Sequence, residues 1–252
     1  YSDLKGYLWV GTTGGLNRFD GYQFKTFHYN AKLTNSLSNS HVTTIYQDHK
    51  HNLWFGTNGG GLNIYNANNE TFNAYQYDEN NSKSISDNVI QAISEDNNGN
   101  LWIATNNGLN RLSSKYIVNF SANAKAEFNR YFHDDKDTNS LSDNNVSSLF
   151  NDKEGTLWLG SNNGRLSYLA ADQNSFVHVM TNELHMANDQ VAITSIINGS
   201  ANTLWIGTEH GLYLYDKTKR TWVNDHPIIS LLNDKAITAL LLKDNVFWIA
   251  TK

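Results

Sequence analysis

Apolar and polar residues alternate in short runs along the whole chain, and Gly, Asn and Ser separate the runs every few positions. Period-two alternation marks half-buried strands, and the separators mark tight turns. One run recurs six times: Leu8-Trp9-Val10-Gly11-Thr12, Leu53-Trp54-Phe55-Gly56-Thr57, Leu101-Trp102-Ile103-Ala104-Thr105, Leu157-Trp158-Leu159-Gly160-Ser161, Leu204-Trp205-Ile206-Gly207-Thr208 and Phe247-Trp248-Ile249-Ala250-Thr251. The Trp-to-Trp intervals are 45, 48, 56, 47 and 43 residues. That period fits a four-stranded propeller blade of about 40–50 residues and exceeds leucine-rich and ankyrin repeats. Helical solenoids share the length but not the alternation.

The second repeat divides into strand A (His41 to Tyr46), a turn (Asp48 to Asn52), strand B (Leu53 to Thr57), a glycine turn (Gly59, Gly60, Gly61), strand C (Leu62 to Tyr65), a turn (Asn66 to Glu70) and strand D (Thr71 to Tyr77). Later A strands open at Ile90, Val146, Ile193 and Ile237. Asp3, Asp48, Asp96 and Asp152 each precede their Trp by six residues, and Gly15, Gly108, Gly164 and Gly211 each follow it by six. Spacing this strict reports a repeated backbone shape. A four-stranded sheet with two apolar faces must bury both, and radial packing of blades does so. The fold is therefore predicted to be all-β, a propeller of four-stranded antiparallel blades. Trp9, Trp54, Trp102, Trp158, Trp205 and Trp248 are predicted to lie between blades as the main ring of the core.

Blade boundaries are placed at about 1–35, 36–85, 86–140, 141–188, 189–232 and 233–252. The first blade lacks most of strand A and the last holds only strands A and B. The chain is thus read as a single-propeller segment of about five blades plus a fragment, an incomplete ring from a larger propeller. Open blade edges then invite self-association. Tyr1 is not an initiator methionine, so the natural N-terminus is expected to lie further upstream.

Composition narrows the function. Aromatics make up 12% of the 252 residues, with seven Trp, one Pro (Pro227) and 37 Asn, the mixture expected of strands joined by tight turns. No Cys is present, which excludes a disulfide scaffold, a cysteine metal site and a cysteine nucleophile. A net charge of −5 and a pI near 6.0 provide no basic field for nucleic acid. No apolar run reaches the length of about 18 residues that a membrane helix needs.

The string Asp-x-x-Gly-x-Leu-Trp-x-Gly-Thr-x-x-Gly-Leu-Asn-Arg, nearly whole at Asp3 to Arg18 and Asp96 to Arg111, resembles the two-component regulator propeller repeat. The phrase Asn-Ser-Leu-Ser, within Asn35 to Asn39 and Asn139 to Asn144, is similar to that family's inter-blade connection. The resemblance spans essentially the whole chain. It implies the periplasmic sensor half of a hybrid histidine kinase or related membrane-anchored signalling protein. Family members typically carry two seven-bladed rings, a β-sandwich, a membrane helix and cytoplasmic catalytic domains, so contact with a membrane is expected only through parts not in this chain. The chain departs from the repeat at Gly199, which replaces Asp, at Arg165, inserted after Gly164, and in an enlarged C–D loop from Lys115 to Glu127.

In a propeller the B–C turns and D–A connections share one face. This puts Asn58, Asn106, Asn107, Asn162, Asn163, Arg165, Glu209 and His210 near a channel mouth, and they are the candidate ligand-binding residues. The competing reading is that the Asn residues occupy left-handed turn positions, which Asn tolerates; Arg165, Glu209 and His210 depart from their repeats and are the sharper candidates. No catalytic residue, metal site or cofactor is assigned. His49 and His51 beside Asp48 have metal-ligand chemistry but fall on a hairpin turn whose other copies lack His. The glycines at 59–61 lack the Lys of a phosphate loop. Lys217-Thr218-Lys219-Arg220 reads as a solvated corner. The expected function is sensing of a small polar ligand, with an oligosaccharide suggested by the family resemblance. One alternative is a propeller glycosidase or lyase: the Asp turn is similar to the sialidase Asp-box, although only five Arg are present. The other is a protein-interaction scaffold, which would expose a large apolar patch.

Overall fold

The computed structural model describes residues 1–117, 126–169, 175–179, 191–200, 202–244 and 246–252. The chain divides into two compact units, Tyr1–Tyr131 and Phe132–Lys252. Unit 1 holds a three-stranded sheet (Leu8–Gly11, Leu16–Phe19, Phe24–Phe27) and two four-stranded sheets (Val42–Gln47, Leu53–Thr57, Leu62–Asn66, Thr71–Tyr75; Ile90–Glu95, Leu101–Thr105, Gly108–Leu112, Phe128–Tyr131). Unit 2 holds two four-stranded sheets (Val146–Asn151, Leu157–Ser161, Leu166–Leu169, Val177–His178; Ile193–Asn198, Thr203–Thr208, Gly211–Asp216, Thr221–Val223) and a two-stranded one (Ile237–Lys243, Val246–Thr251). Each is antiparallel with strands in chain order, the A-B-C-D pattern of a propeller blade. The enlarged C–D loop lies, over residues 118–125, outside the described residues, as does the fourth blade's expected boundary at 188. A short helix, Pro227–Leu231, was not foreseen. Pro227 supplies its first-turn φ, and His226 Nδ1 accepts the Ile228 N–H at 3.3 Å.

The carboxylates six residues before Trp do more than turn the chain. Trp9, Trp54, Trp102 and Trp158 each donate Nε1–H to Oδ2 of Asp3, Asp48, Asp96 and Asp152, at 2.8, 2.9, 2.9 and 2.9 Å. In Asp48, Oδ1 also accepts the N–H groups of Lys50 and Asn52, at 2.9 and 2.8 Å. The A–B turn is thereby closed on the same side chain that fixes the indole. In the fifth repeat a Cβ on Gly199 would fall 2.4 Å from Thr203 Oγ1, so the carboxylate's space is taken. Trp205 packs instead against His226 and Phe247, at ring separations of 4.9 and 5.3 Å.

Within each unit, neighbouring sheets meet through strand B. Trp9 packs on Phe55 and Tyr65 of the next sheet at 5.3 and 5.2 Å, and Trp158 on Tyr215 at 5.9 Å. Two residues beyond Trp the sheets come closer still. A Cβ on Gly56 would lie 2.5 Å from Thr44 Cγ2 and 2.6 Å from Ile90 Cγ2. Gly56→Ala is therefore expected to destabilise unit 1 by about 1–3 kcal/mol through overpacking, read as a lower urea midpoint at unchanged slope. Each full A strand carries a register shift at its start, as between Val42 and Thr44 or Ile193 and Ser195. The residue at the shift staples the next sheet: Thr43, Ser147 and Thr194 hydroxyls donate to the carbonyls of Ile90, Ile193 and Ile237 at 2.6, 2.7 and 2.7 Å.

Five of the six repeat tryptophans are buried. Trp248 is not: it is 62% exposed on the two-stranded Ile237–Lys243/Val246–Thr251 pair, where among the described residues no sheet packs on its side. The expectation of a six-Trp core is corrected to five.

Candidate functional site

The B–C turns and the starts of the A strands do share one face within each unit. In unit 1 the Asn88 carbonyl accepts from Gly59 and Gly61 N–H at 3.0 and 2.8 Å, and the Val89 carbonyl from Asn106 N–H at 3.2 Å. Asn58 Nδ2 lies 3.2 Å from His41 Nδ1, and Asn106 Oδ1 accepts from Gln91 at 2.5 Å. Asn107 stands exposed beside it. In unit 2 Asn162 is tied by its backbone N–H to the Asn145 carbonyl at 3.1 Å. The Asn163 side chain accepts from Ser161 Oγ at 2.6 Å and donates to Asp143. Arg165 donates to the Ser142 carbonyl at 3.1 Å, while Glu209 and His210 are exposed.

None of these five Asn residues has a positive φ. The left-handed positions fall on the glycines that follow, Gly59 at 99°, Gly108 at 104° and Gly164 at 77°, so the reading of the Asn residues as left-handed turn formers is corrected. The side-chain amides of Asn58, Asn106 and Asn163 serve as hydrogen-bonding groups along the rim.

Concave space borders the D–A connection at His28 to Leu37, where a cavity of about 500 Å³ lies, and also opens where A–B and C–D turns of adjacent sheets meet. In unit 1 a cavity of about 480 Å³ opens between the first two sheets. Its floor is Tyr7, Trp9 and Tyr65, and its polar walls include Arg18, Asn52, Asn68 and Glu70. Arg18 organises it. The guanidinium sits 4.6 Å over the Tyr7 ring, donates to the Tyr65 hydroxyl at 3.0 Å and pairs with Glu70 at 2.9 Å. Lys25 pairs with the same carboxylate. Burial pushes the Tyr65 phenol up to about 12 against the opposing pull of Arg18, so it stays a neutral hydroxyl. The hydrogen bond from Lys25, with help from Arg18, holds the Glu70 carboxyl below its ordinary range.

In unit 2 a second cavity, about 340 Å³, occupies the corresponding place between the sheets of Val146–His178 and Ile193–Val223. Trp158, Tyr168 and Tyr215 line it, with Asn202, Lys217 and Arg220. Lys217 Nζ bridges Asp152 Oδ2 at 2.9 Å and Glu154 Oε2 at 2.8 Å. Its side chain is only 13% exposed, which corrects the reading of this corner as solvated for Lys217. None of the eight candidate residues lines either cavity.

The sequence assigns no site role to Arg18, Tyr65 or Lys217. Tyr65 and Tyr215 occupy one strand C position, three residues after Leu62 and Leu212, and that shared aromatic was the available signal. Lys217 carried none, since its partners lie 63 and 65 residues away.

A family model described as two component regulator propeller matches residues 36–59, 84–107 and 140–163. These three segments of the chain are similar to that repeat. Each matched segment runs from the inter-blade connection through strand A and the carboxylate turn to the end of strand B, so the model reads the indole latch and its surroundings. The extracellular domain of a hybrid two-component system from B. thetaiotaomicron is 28% identical with a TM-score of 0.79, over 100% of this chain and 32% of that one. That of a one-component system from the same organism is 20% identical with a TM-score of 0.63, over 97% and 37%. The chain thus spans about a third of the length of these sensor ectodomains. A virginiamycin B lyase from Staphylococcus aureus, 11% identical with a TM-score of 0.68 over 100% and 75%, shares the fold. No curated protein matches the sequence. No described helix is long and apolar enough to cross a membrane.

Proposed function

We propose that the chain is part of the ligand-sensing, extracytoplasmic propeller of a two-component-type signalling protein, that it resides in the periplasm, and that it binds its ligand without turning it over. The supporting observation is the 28% identity to a hybrid two-component ectodomain over the full length of this chain, together with the three matched repeats. In the parent protein a membrane anchor and a histidine kinase would complete the pathway. The ligand is a small polar molecule, with oligosaccharides first among candidates. Binding in the unit 1 cavity is favoured over the B–C rim, because a volume of about 480 Å³ lies within the range of about 300–1,000 Å³ found for ligand pockets. There an aromatic floor meets amide, hydroxyl and guanidinium groups at fixed distances.

The test is a thermal-shift screen of the chain against neutral and acidic di- to hexasaccharides, repeated with Lys5→Ala/Asn68→Ala and with Glu209→Ala/His210→Ala. A rise in the unfolding midpoint with one glycan, lost only in the first pair, is the expected result. Loss only in the second pair moves the site to the rim. A glycan cleaved during incubation overturns the non-catalytic reading.

A further inference from the structure

We infer that the connection between the first and second sheets is a binding seat for a guanidinium, and that the group it takes is an arginine side chain of a partner polypeptide. Three inter-sheet connections share one backbone shape. In each, a serine hydroxyl accepts the N–H of the residue six positions before it: Ser36 from Asn30, Ser84 from Asp78 and Ser140 from Asp134, at 3.0, 2.9 and 2.9 Å. Each connection is also pinned by an aromatic residue of the D strand that follows. The Phe72 N–H donates to the Asn35 carbonyl, Phe128 to Lys83 and Phe176 to Asn139, all at 2.9 Å.

The residue two positions beyond that aromatic decides what meets the connection. On the second connection it is Arg130. Its Nε donates to the Ser84 carbonyl at 2.6 Å, and its Nη2 donates to the Asn81 and Ile85 carbonyls at 2.9 and 3.2 Å and to Ser84 Oγ. The guanidinium lies 5.5 Å over the Tyr77 ring. On the third connection it is His178, whose Nε2 lies 2.9 Å from the Ser140 carbonyl. On the first it is Ala74, a methyl group with nothing to donate, and among the described residues no side chain reaches the Ser36 carbonyl. The residues that correspond to the four contacts of Arg130 are Tyr29, Leu33, Ser36 and Leu37, and all four line the cavity of about 500 Å³. Tyr29 is 54% exposed, so the seat is open to a group arriving from solvent. Both of its walls, the connection and the strand Thr71–Tyr75, lie inside unit 1. A guanidinium suits such a set because its planar fork of N–H groups meets several carbonyls at once while its face stacks on a ring. An arginine from another polypeptide thus repeats a fit that the fold already makes with Arg130.

The inference does not rest on the glycan reading. Its test is a heteronuclear NMR titration of the chain with acetyl-Gly-Arg-Gly-amide, acetyl-Gly-Gln-Gly-amide and methylguanidinium, repeated on Ala74→Arg and Tyr29→Ala. The backbone resonances of Ser36 and Leu37 are expected to shift with the arginine peptide and not with the glutamine peptide. Ala74→Arg supplies the guanidinium from the chain itself, so it should abolish that response and keep or raise the thermal midpoint. Tyr29→Ala should weaken peptide binding about two- to fivefold, the loss of one exposed cation–π contact. If Ala74→Arg lowers the midpoint, Tyr29→Ala carries the test in its place. Resonances that stay still, that move equally with both peptides, or that respond undiminished in both variants would overturn the inference. Methylguanidinium binding as tightly as the arginine peptide would overturn the assignment to a polypeptide.

Discussion

Trp54→Ala is expected to lower the stability of unit 1 by about 3–5 kcal/mol. Trp54 is 1% exposed, packs among Ile93, Leu101, Ile103 and Leu112 of the next sheet, and donates its N–H to buried Asp48. Truncation removes that apolar surface from the contact, leaves a cavity between two sheets that cannot close over it, and strips a carboxylate oxygen of a partner. The same substitution at Trp248 is expected to change monomer stability by no more than about 0.5 kcal/mol, the scale of ordinary surface changes. Urea denaturation of both variants, monitored by circular dichroism in dilute solution, checks the pair. Equal shifts at the two positions would contradict the division of the tryptophans into five buried and one bare.

The second large effect is expected at Asp152, whose carboxylate takes N–H groups from Trp158, Glu154 and Thr156 and the Lys217 ammonium. Asp152→Asn turns an amide N–H₂ toward the Trp158 indole and Lys217, two donors facing a third. The cost should be about 2–3 kcal/mol, the desolvation of buried donors left without acceptors. Adding Lys217→Met should recover part of it, since the two sites share the interaction. The effect also has a pH signature. Burial raises the Asp152 carboxyl, but the bonds from Trp158, Lys217 and the Thr156 backbone outweigh it and hold the group below its ordinary value. A carboxyl depressed in the folded state contributes stability above its unfolded pKa of about 3.9 and loses it as pH falls through the folded value. Wild type and Asp152→Asn should therefore differ fully at neutral pH and converge below about pH 4. Chemical denaturation between pH 2.5 and pH 7 reads the difference; a constant gap across that range would contradict the assignment.

The strand framework was legible because it rests on local signals. Leu53–Thr57 was placed to the residue, and the A strands begin at Ile90, Val146, Ile193 and Ile237 as the period required. The aspartates were visible as turn residues, but not as acceptors for indoles six residues on, a partnership the spacing permits without requiring. What escaped was set by contacts between sheets. Trp248 shares Trp-Ile-Ala-Thr with buried Trp102, although Phe247 replaces Leu101 and Leu242 replaces Asp96, and its exposure is not written in that run. Lys217 is one of three basic residues on an exposed turn until Asp152 and Glu154 are seen beneath it. The cavities over Trp9 and Trp158 escaped for the same reason, since the rim residues announce themselves as polar exceptions while these cavities are built from repeat positions.

Within the run Leu-Trp-x-Gly-Thr, the widest side chain and the narrowest residue point to the same neighbouring sheet, two positions apart. At the Gly11 end the first two sheets approach until even a methyl group would lie 2.8 Å from Val42 Cγ1, while at the Trp9 end the tilted Phe55 ring, 5.3 Å away, holds them apart. Each pair of sheets is therefore pinched at its B–C end and splayed at its A–B end, like two pages opened from a tight spine. The splay is what leaves room for the clefts over Trp9 and Trp158. The order of a large and a small residue within five positions sets, in each unit, where the clefts over Trp9 and Trp158 open.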